Sequence, residues 1–240
     1  MSKNNIFSLV CMLLIMVIYN GFFFRKMMIH SVMRMIERGE FALPTGRITI
    51  ITGPMFSEKS GELIRRCQKL IQYGHRKVIA YKPAEDNRYA TDEIVSRIGY
   101  RLPAISIPRK LTDELVQRIL EETKEADVVA FDEVQFFSRH IMALIQELAY
   151  CGKHVIADGL NLDYRGKEFG YIGGLLAMAD DIEKLTSFCA VCGSSEAVFT
   201  QRMVNGKPST VGPIVMIGDS EAYEPRCRKC FIPPHKVNCD

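Results

Sequence analysis

The chain has 240 residues, enough for one or two domains with a buried core. Hydrophobic residues make up 48% and charged residues 25%, and both values are ordinary for a globular protein. The formal net charge is only +3, which argues against a nucleic-acid partner, because such a partner usually requires a clustered basic face. Composition therefore favours a soluble enzyme or a binding domain.

An apolar run, residues 6–24, comes first in the chain and is just long enough to cross a bilayer. Lys3 precedes the run, and Arg25, Lys26, Arg34 and Arg38 follow it, so the positive-inside rule would place the rest of the chain in the cytoplasm. No small-residue cleavage site follows, which disfavours a cleaved signal peptide. Residues 1–44 are therefore interpreted as a membrane anchor and linker, or as a misassigned start or disordered tail, with a signal peptide as the third alternative.

Strand and helix patterns alternate from Gly46 to the middle of the chain. Short β-branched runs predict strands, and apolar residues at helical spacing predict helices. The predicted strands are 47–52, 77–81, 127–131 and 154–157, and the predicted helices are 59–73, 111–123 and 141–150. This alternation indicates an α/β domain, residues 45–184, with a mostly parallel sheet and helices on both faces. It does not predict the order of the strands.

The chain changes character after Asp158. Glycines and other turn residues become frequent, and a helix is predicted to lead to Thr186. Two CxxC pairs follow, separated by a stretch that includes a Gly-, Pro- and Ser-rich loop at residues 206–213. Residues 185–240 contain too little apolar sequence for a core of their own, so we expect a small domain that depends on a metal.

A phosphate-binding loop is predicted between the first strand and the first helix. Residues 53–60, GPMFSEKS, follow the frame G-x-x-x-x-G-K-[ST] except at Glu58, where the frame has glycine. In such a loop, backbone N–H groups and the helix N-terminus hold phosphate oxygens. The lysine, here Lys59, reaches the β- and γ-phosphates, and the hydroxyl of Ser60 would ligate Mg²⁺. The alternative is a polar turn that merely begins a helix.

Asp132 and Glu133 form an acidic pair at the end of a predicted buried strand. Beside a phosphate-binding loop, Asp132 is placed to coordinate Mg²⁺, directly or through water. Glu133 could act as a general base on an incoming hydroxyl group. The alternative is that the pair only ends a strand and begins a loop.

Four of the eight cysteines form two closely spaced pairs. They are Cys189, Cys192, Cys227 and Cys230. Two CxxC pairs of this kind predict a tetrahedral zinc site with four thiolate ligands. The gap between the pairs indicates that the metal closes a loop rather than building a compact finger, and unliganded buried thiols are the alternative.

Together these motifs resemble the thymidine kinase family, in the zinc-containing form found in many bacteria and in animal cytosol. GPMFSEKSGELIRR resembles its phosphate loop and first helix, FDEVQFF resembles its second motif, and the resemblance extends from about Ile48 to Pro233. It implies a RecA-like P-loop nucleotide-binding domain with a small zinc-binding lid domain that carries a lasso-shaped loop. It also implies transfer of the γ-phosphate of ATP to the 5′-hydroxyl of thymidine, with magnesium and zinc, by a cytoplasmic homotetramer.

The resemblance further assigns roles to individual residues. Glu133 would accept the proton of the 5′-hydroxyl, Arg88 would neutralise developing charge, and Tyr164 would stack on the base. The residues implied to bind ATP and Mg²⁺ are Gly53, Pro54, Met55, Phe56, Ser57, Glu58, Lys59, Ser60, Asp86, Arg88, Asp132 and Gln135. The residues implied to bind thymidine are Met55, Phe136, Leu160, Tyr164, Thr200, Ile214, Val215, Met216, Ile217, Gly218 and Tyr223. By pattern alone, Met55, Phe136 and Tyr223 would be assigned to packing or other structural roles.

Two alternative functions share these motifs. One is a RecA-like ATPase with a DNA-binding zinc ribbon, in which Glu133 would activate water. The other is a catalytically impaired homologue, because Glu58 replaces a glycine. If that position needs a positive φ, a side chain costs ~1–2 kcal/mol. A carboxylate about 4 Å from a phosphate charge adds ~4 kcal/mol of repulsion at a surface-like dielectric.

Overall fold

The computed structural model describes residues 46–84, 92–214 and 223–234. Contacts group the chain from Thr45 onwards into one compact unit. The apolar run of residues 6–24 lies outside the described residues, so the expected anchor stays a prediction. Among the helices that are described, none has the length and apolar character needed to cross a bilayer.

The described chain contains fifteen strands and α-helices in a mixed order. The strands are β1 (Arg47–Gly53), β2 (Val78–Pro83), β3 (Glu93–Val95), β4 (Arg101–Pro103), β5 (Ile105–Ile107), β6 (Val128–Phe131), β7 (His154–Leu160), β8 (Asp181–Lys184), β9 (Ala197–Val204), β10 (Lys207–Ser209) and β11 (Tyr223–Cys227). The helices are α1 (Lys59–Gln72), α2 (Asp113–Glu122), α3 (His140–Tyr150) and α4 (Ile172–Met178).

A six-stranded sheet in the order β5-β2-β6-β7-β1-β8 forms the centre of the molecule, and all its pairings are parallel. The predicted α/β class is therefore confirmed. The order places β7 between β6 and β1, so the carboxyl ends of these three strands meet at one edge of the sheet. Ligands bind at this edge in open parallel sheets.

The core has two parts because the sheet is covered on both faces. In β6, Val128 and Ala130 pack in one apolar cluster with residues of α1, whereas Val129 and Phe131 pack in the other with residues of α2, α3 and α4. All four of these β6 side chains are buried. A strand that is apolar on both sides is typical of a sheet between two helical layers.

The sequence predicted a helix that leads to Thr186, and this prediction is wrong for the residues after Met178. The helix α4 ends at Met178, and Asp181–Lys184 forms β8, which pairs in parallel with β1 at the edge of the sheet. The sequence DIEK has little β propensity, but charged residues are common on edge strands because they discourage further pairing. The backbone of β1, rather than local preference, makes this segment extended.

A separate three-stranded antiparallel sheet, in the order β10-β9-β11, follows the large sheet. The last strand of the large sheet ends at Lys184 and the first strand of the small sheet begins at Ala197. The predicted boundary between residues 184 and 185 lies between the two sheets, and the division into two domains stays a prediction.

Candidate active site

A cavity of about 170 Å³ lies at the carboxyl edge of the large sheet, between this sheet and the small one. Polar groups from the ends of β1, β2 and β6 line it, and aromatic side chains line it as well. The predicted site residues among its lining are Met55, Phe56, Glu58, Lys59, Ser60, Asp132, Glu133, Phe136, Leu160, Tyr164, Thr200, Ile214 and Tyr223. The structure therefore brings phosphate-loop, acidic and lid residues together around one space.

The loop from Gly53 to Ser60 connects β1 to α1. The ammonium group of Lys59 and the hydroxyl of Ser57 each donate a hydrogen bond to the carbonyl oxygen of Pro54, at 2.9 Å. Gly53 is required by close packing, because a β-carbon there would lie 2.6 Å from the carbonyl oxygen of Leu185. The loop is thus held by its own side chains and by the end of β8.

Glu58 occupies a backbone conformation that favours glycine, with φ 59° and ψ 34°. Its Oε2 atom is buried and has no hydrogen-bond partner among the residues that the structure describes. This oxygen lies close to Gly61, where a β-carbon would approach it to 3.0 Å. Position 58 therefore does have a positive φ, which is the condition under which a side chain there is unfavourable. The side chain of Glu58 lies beside the first turn of α1.

Three oxygen-bearing side chains meet where β1, β6 and β7 end. The hydroxyl of Ser60 lies 2.9 Å from Oδ1 of Asp132 and 3.2 Å from Oδ2 of Asp158. Burial and the neighbouring carboxylate of Asp132 raise the pKa of Asp158 well above its ordinary value. A hydroxyl and carboxylates in this arrangement suit Mg²⁺, which prefers oxygen ligands.

Glu133 follows Asp132 in a left-handed conformation, with φ 52° and ψ 46°. Its backbone N–H donates to Oδ1 of Asp158 at 3.1 Å. The amide of Gln135 donates to the carboxylate of Glu133, while the amide oxygen of Gln135 accepts from the backbone N–H of Leu160 at 3.0 Å. The carboxylate of a candidate base is thereby held on the cavity wall.

Contacts with the phosphate loop hold the small sheet and the segment before it. The backbone N–H of Met55 donates to the hydroxyl of Thr200 in β9 at 3.0 Å, and the hydroxyl of Ser187 donates to the carbonyl oxygen of Phe56 at 2.9 Å. The phenol of Tyr164 is 3% exposed and donates to the carbonyl oxygen of Gly212 at 2.8 Å. One side of the cavity is therefore supplied by the small sheet and by Tyr164.

The four paired cysteines form a single cluster. Each offers one sulfur atom, and these atoms all lie within 4.8 Å of one another. Sulfur atoms of Cys192 and Cys227 are 3.7 Å apart, which agrees with the edge of about 3.8 Å expected for a tetrahedron with Zn–S bonds of about 2.3 Å. None of the described cysteines forms a disulfide. The cluster therefore has the geometry and the donor atoms of a zinc site.

Some predicted residues do not line the cavity. Gly53, Pro54, Ser57 and Gln135 lie next to it and hold its walls. Asp86, Arg88, Val215, Met216, Ile217 and Gly218 lie outside the described residues, so their roles stay predictions.

Sequence reasoning missed several residues of the site. Lys82 is 5% exposed, lies at the end of β2 and donates to the carbonyl oxygen of Glu93 at 2.8 Å. Arg97 stacks on the ring of Phe56, with its guanidinium carbon 4.2 Å from the ring centre. Asp158 follows the predicted strand 154–157, and this position was the only sequence signal that it could belong to the site. Lys82 likewise follows a predicted strand, 77–81, and that position was its corresponding signal.

A family model for thymidine kinase matches residues 46–231, more than three quarters of the chain. The match covers the large sheet, the phosphate loop, the acidic pair and all four paired cysteines. It agrees with the fold and with the composition of the cavity, and it supports nucleoside kinase function. On this match, the chain belongs to the thymidine kinase family.

Proposed function

We propose that this protein transfers the γ-phosphoryl group of ATP to the 5′-hydroxyl of thymidine. The observation that carries the proposal is the shared cavity, where phosphate-loop, acidic and aromatic residues face one space. Family membership supports a kinase that acts on a nucleoside. Thymidine and ATP are the substrates that the family suggests for this site.

In the proposed reaction, Lys59 binds the phosphates of ATP, and Ser60 and Asp132 hold Mg²⁺. When bound, Mg²⁺ would neutralise charge on the phosphate oxygens. Glu133 accepts the proton from the 5′-hydroxyl as the oxygen attacks the γ-phosphorus and ADP leaves. Phosphoryl transfer depends mainly on alignment and charge neutralisation, and these residues supply both.

The thymine base is proposed to bind between the aromatic and apolar side chains of the cavity. Phe136 packs edge-to-face on Phe169, with ring centres 5.5 Å apart, and so forms a rigid wall. Tyr164 presents its ring to the same space while its hydroxyl is bonded to Gly212. A lid of this kind would exclude water and limit wasteful hydrolysis of ATP.

The family also suggests a cytoplasmic homotetramer that carries structural zinc. The cysteine cluster would hold the zinc, and the zinc would stabilise a lid that has only a small apolar core. Residues 6–24 would attach the kinase to a membrane if they form an anchor. Sedimentation of the full chain and of a form that begins at Met33 would measure oligomeric state and membrane association separately.

A second candidate is a nucleotide-binding homologue with impaired turnover. It is favoured by the left-handed backbone of Glu58 and by its buried Oε2, which has no hydrogen-bond partner in the described part of the chain. A carboxylate in the phosphate loop weakens the attraction for ATP whenever it approaches the phosphates. The two candidates differ in turnover rather than in fold.

The decisive experiment measures transfer of labelled γ-phosphate from ATP to thymidine by the full chain and by the form that begins at Met33. Thymidine monophosphate should appear, and Glu133→Gln serves as the inactive control. Binding of both substrates without product would favour the impaired homologue. If the folded protein bound neither substrate, both candidates would be wrong.

A further inference from the structure

Asp158 is a completely buried carboxylate at the candidate active site, and the roles assigned above do not use it. Its exposure is 0%, and it lies in β7 opposite Ile51 of β1. Burying a carboxylate is unfavourable unless its oxygens accept hydrogen bonds. Its partners therefore indicate why an acidic residue stands there.

The two oxygens of Asp158 contact two different motifs. Oδ2 lies 3.2 Å from the hydroxyl of Ser60, at the start of α1, and it shares the one proton of this hydroxyl with Oδ1 of Asp132 at 2.9 Å. Oδ1 accepts from the backbone N–H of Glu133, 3.1 Å away, after β6. One side chain thus joins the candidate Mg²⁺ ligand of the phosphate loop to the candidate base.

The contact with Glu133 stabilises an unfavourable backbone conformation. Glu133 has φ 52°, a region that residues with a β-carbon seldom adopt unless the surroundings hold them there. Asp158 holds the backbone N–H of this residue, and Gln135 holds its carboxylate. Without Asp158, the N–H of Glu133 would lose its hydrogen-bond partner. The orientation of the Glu133 side chain would then depend on the contact between Gln135 and the carboxylate alone.

We propose that Asp158 is a positioning residue, which orients the Ser60 hydroxyl toward the Mg²⁺ site and keeps the Glu133 carboxylate facing the reacting hydroxyl. The inference rests on the proposed function for its catalytic consequence. The two contacts themselves belong to the protein without substrates, so the positioning can be measured without turnover.

Asp158→Asn is the test, because asparagine has nearly the same shape but only one acceptor oxygen, so it can accept from the Ser60 hydroxyl or from the Glu133 N–H but not from both. The matched control is Asp180→Asn, since Asp180 also accepts a backbone N–H, from Ile48 at 2.8 Å, at the opposite end of β1. We expect Asp158→Asn to lower kcat by about 10–100-fold, the scale of a small misplacement of a reacting group. The Kd for thymidine should change by less than about 2-fold.

Two further measurements separate positioning from chemistry. Hydrogen exchange of residues 132–137, in protein without nucleotide, should become at least about 10-fold faster in Asp158→Asn if the Glu133 contact is lost. The Mg²⁺ concentration that half-saturates ADP binding should rise by about 10-fold if the Ser60 contact is lost. At least one of these two changes must occur, and Asp180→Asn should show neither.

The proposal is overturned if Asp158→Asn matches Asp180→Asn in kcat, in amide exchange and in Mg²⁺ dependence. Urea unfolding of both variants checks that a lower kcat does not reflect unfolding. If the asparagine variant does not fold, Asp158→Ser is measured in the same way. If the parent protein does not phosphorylate thymidine, the proposed function fails, but amide exchange and Mg²⁺-dependent ADP binding still decide the role of Asp158.

Discussion

Replacing Glu58 by glycine should tighten ATP–Mg²⁺ binding and raise thymidine phosphorylation. Glu58 combines two unfavourable features, a left-handed backbone and a buried carboxylate oxygen to which none of the described residues donates a hydrogen bond. Glycine removes both features, whereas Glu58→Ala removes the carboxylate and keeps the β-carbon. Comparing the two variants therefore separates backbone strain from charge.

The expected magnitudes differ for stability and for binding. A residue with a β-carbon in the left-handed region costs ~1–2 kcal/mol, and an unsatisfied buried oxygen costs about 1–3 kcal/mol. For ATP, a carboxylate would contribute ~2 kcal/mol of repulsion if a phosphate charge bound about 8 Å from it at a dielectric of about 20. This corresponds to roughly 30-fold in Kd. Alanine should therefore recover most of the ATP affinity, whereas glycine should give the larger increase in stability.

Isothermal titration with ATP–Mg²⁺, thermal unfolding and the phosphoryl-transfer assay give the three readouts. Glu62→Ala is the control, because it removes a carboxylate from the first turn of α1, one helical turn after Glu58. Glu62 pairs with Arg65 and Arg66 and does not line the cavity. The reasoning is refuted if Glu58→Gly binds ATP–Mg²⁺ no more tightly than the parent, and the impaired-homologue candidate then loses its basis.

Three further predictions concern the zinc site, the base and the half-buried His154. Purified protein should contain about one zinc per chain, and Cys189→Ser should lose it and expose the lid to limited proteolysis; elemental analysis that finds no zinc in fresh protein would refute the lid model. Glu133→Gln should lower kcat by roughly 10²–10⁴-fold with nearly unchanged thymidine binding in titration, and an equal loss of binding would make Glu133 structural. Burial, with the charges of Arg47 and Arg66, lowers the pKa of His154 from 6.5, so the unfolded chain takes up a proton more readily than the folded one. The free energy of unfolding should thus fall as the pH drops below about 6.5. His154→Gln should show a smaller fall between about pH 7.5 and pH 5.5 in urea, and an equal fall in both proteins would contradict the assignment.

The large sheet and the phosphate loop could be predicted because their signals are local. A β-branched run, a Gly-rich turn and apolar residues at helical spacing in succession place β1, the loop and α1 within one or two residues of their observed bounds. The four cysteines could be paired in the same way, because CxxC spacing is a strong local signal. For these features, chain order and side-chain type are sufficient.

Features that depend on strand order could not be predicted. From the sequence, Asp158 only follows an ordinary predicted strand. Its role depends on the position of β7 between β6 and β1, where its oxygens contact Ser60 and Glu133. The strand β8 could not be predicted for a similar reason. Its extended form comes from pairing with β1 rather than from its own residues. Alternation of strands and helices predicts a parallel sheet but leaves the neighbours of each strand open.

Several residues that break local rules lie in the cavity wall or directly behind it. Phe56, Glu58 and Glu133 have positive φ without being glycine, and Asp132 and Asp158 place two carboxylates side by side in a buried region. Each feature lowers stability by an amount of order 1–3 kcal/mol, and features of this kind persist only where the surrounding structure holds them in place. Here the support comes from β1, β6 and β7, whose apolar residues are almost completely buried on both faces of the sheet. Two of these five residues, Asp132 and Glu133, have proposed roles in catalysis, and Asp158 holds the second of them in place. Glu58 serves no step of the proposed chemistry, and for that reason its replacement should improve stability and turnover together instead of exchanging one for the other.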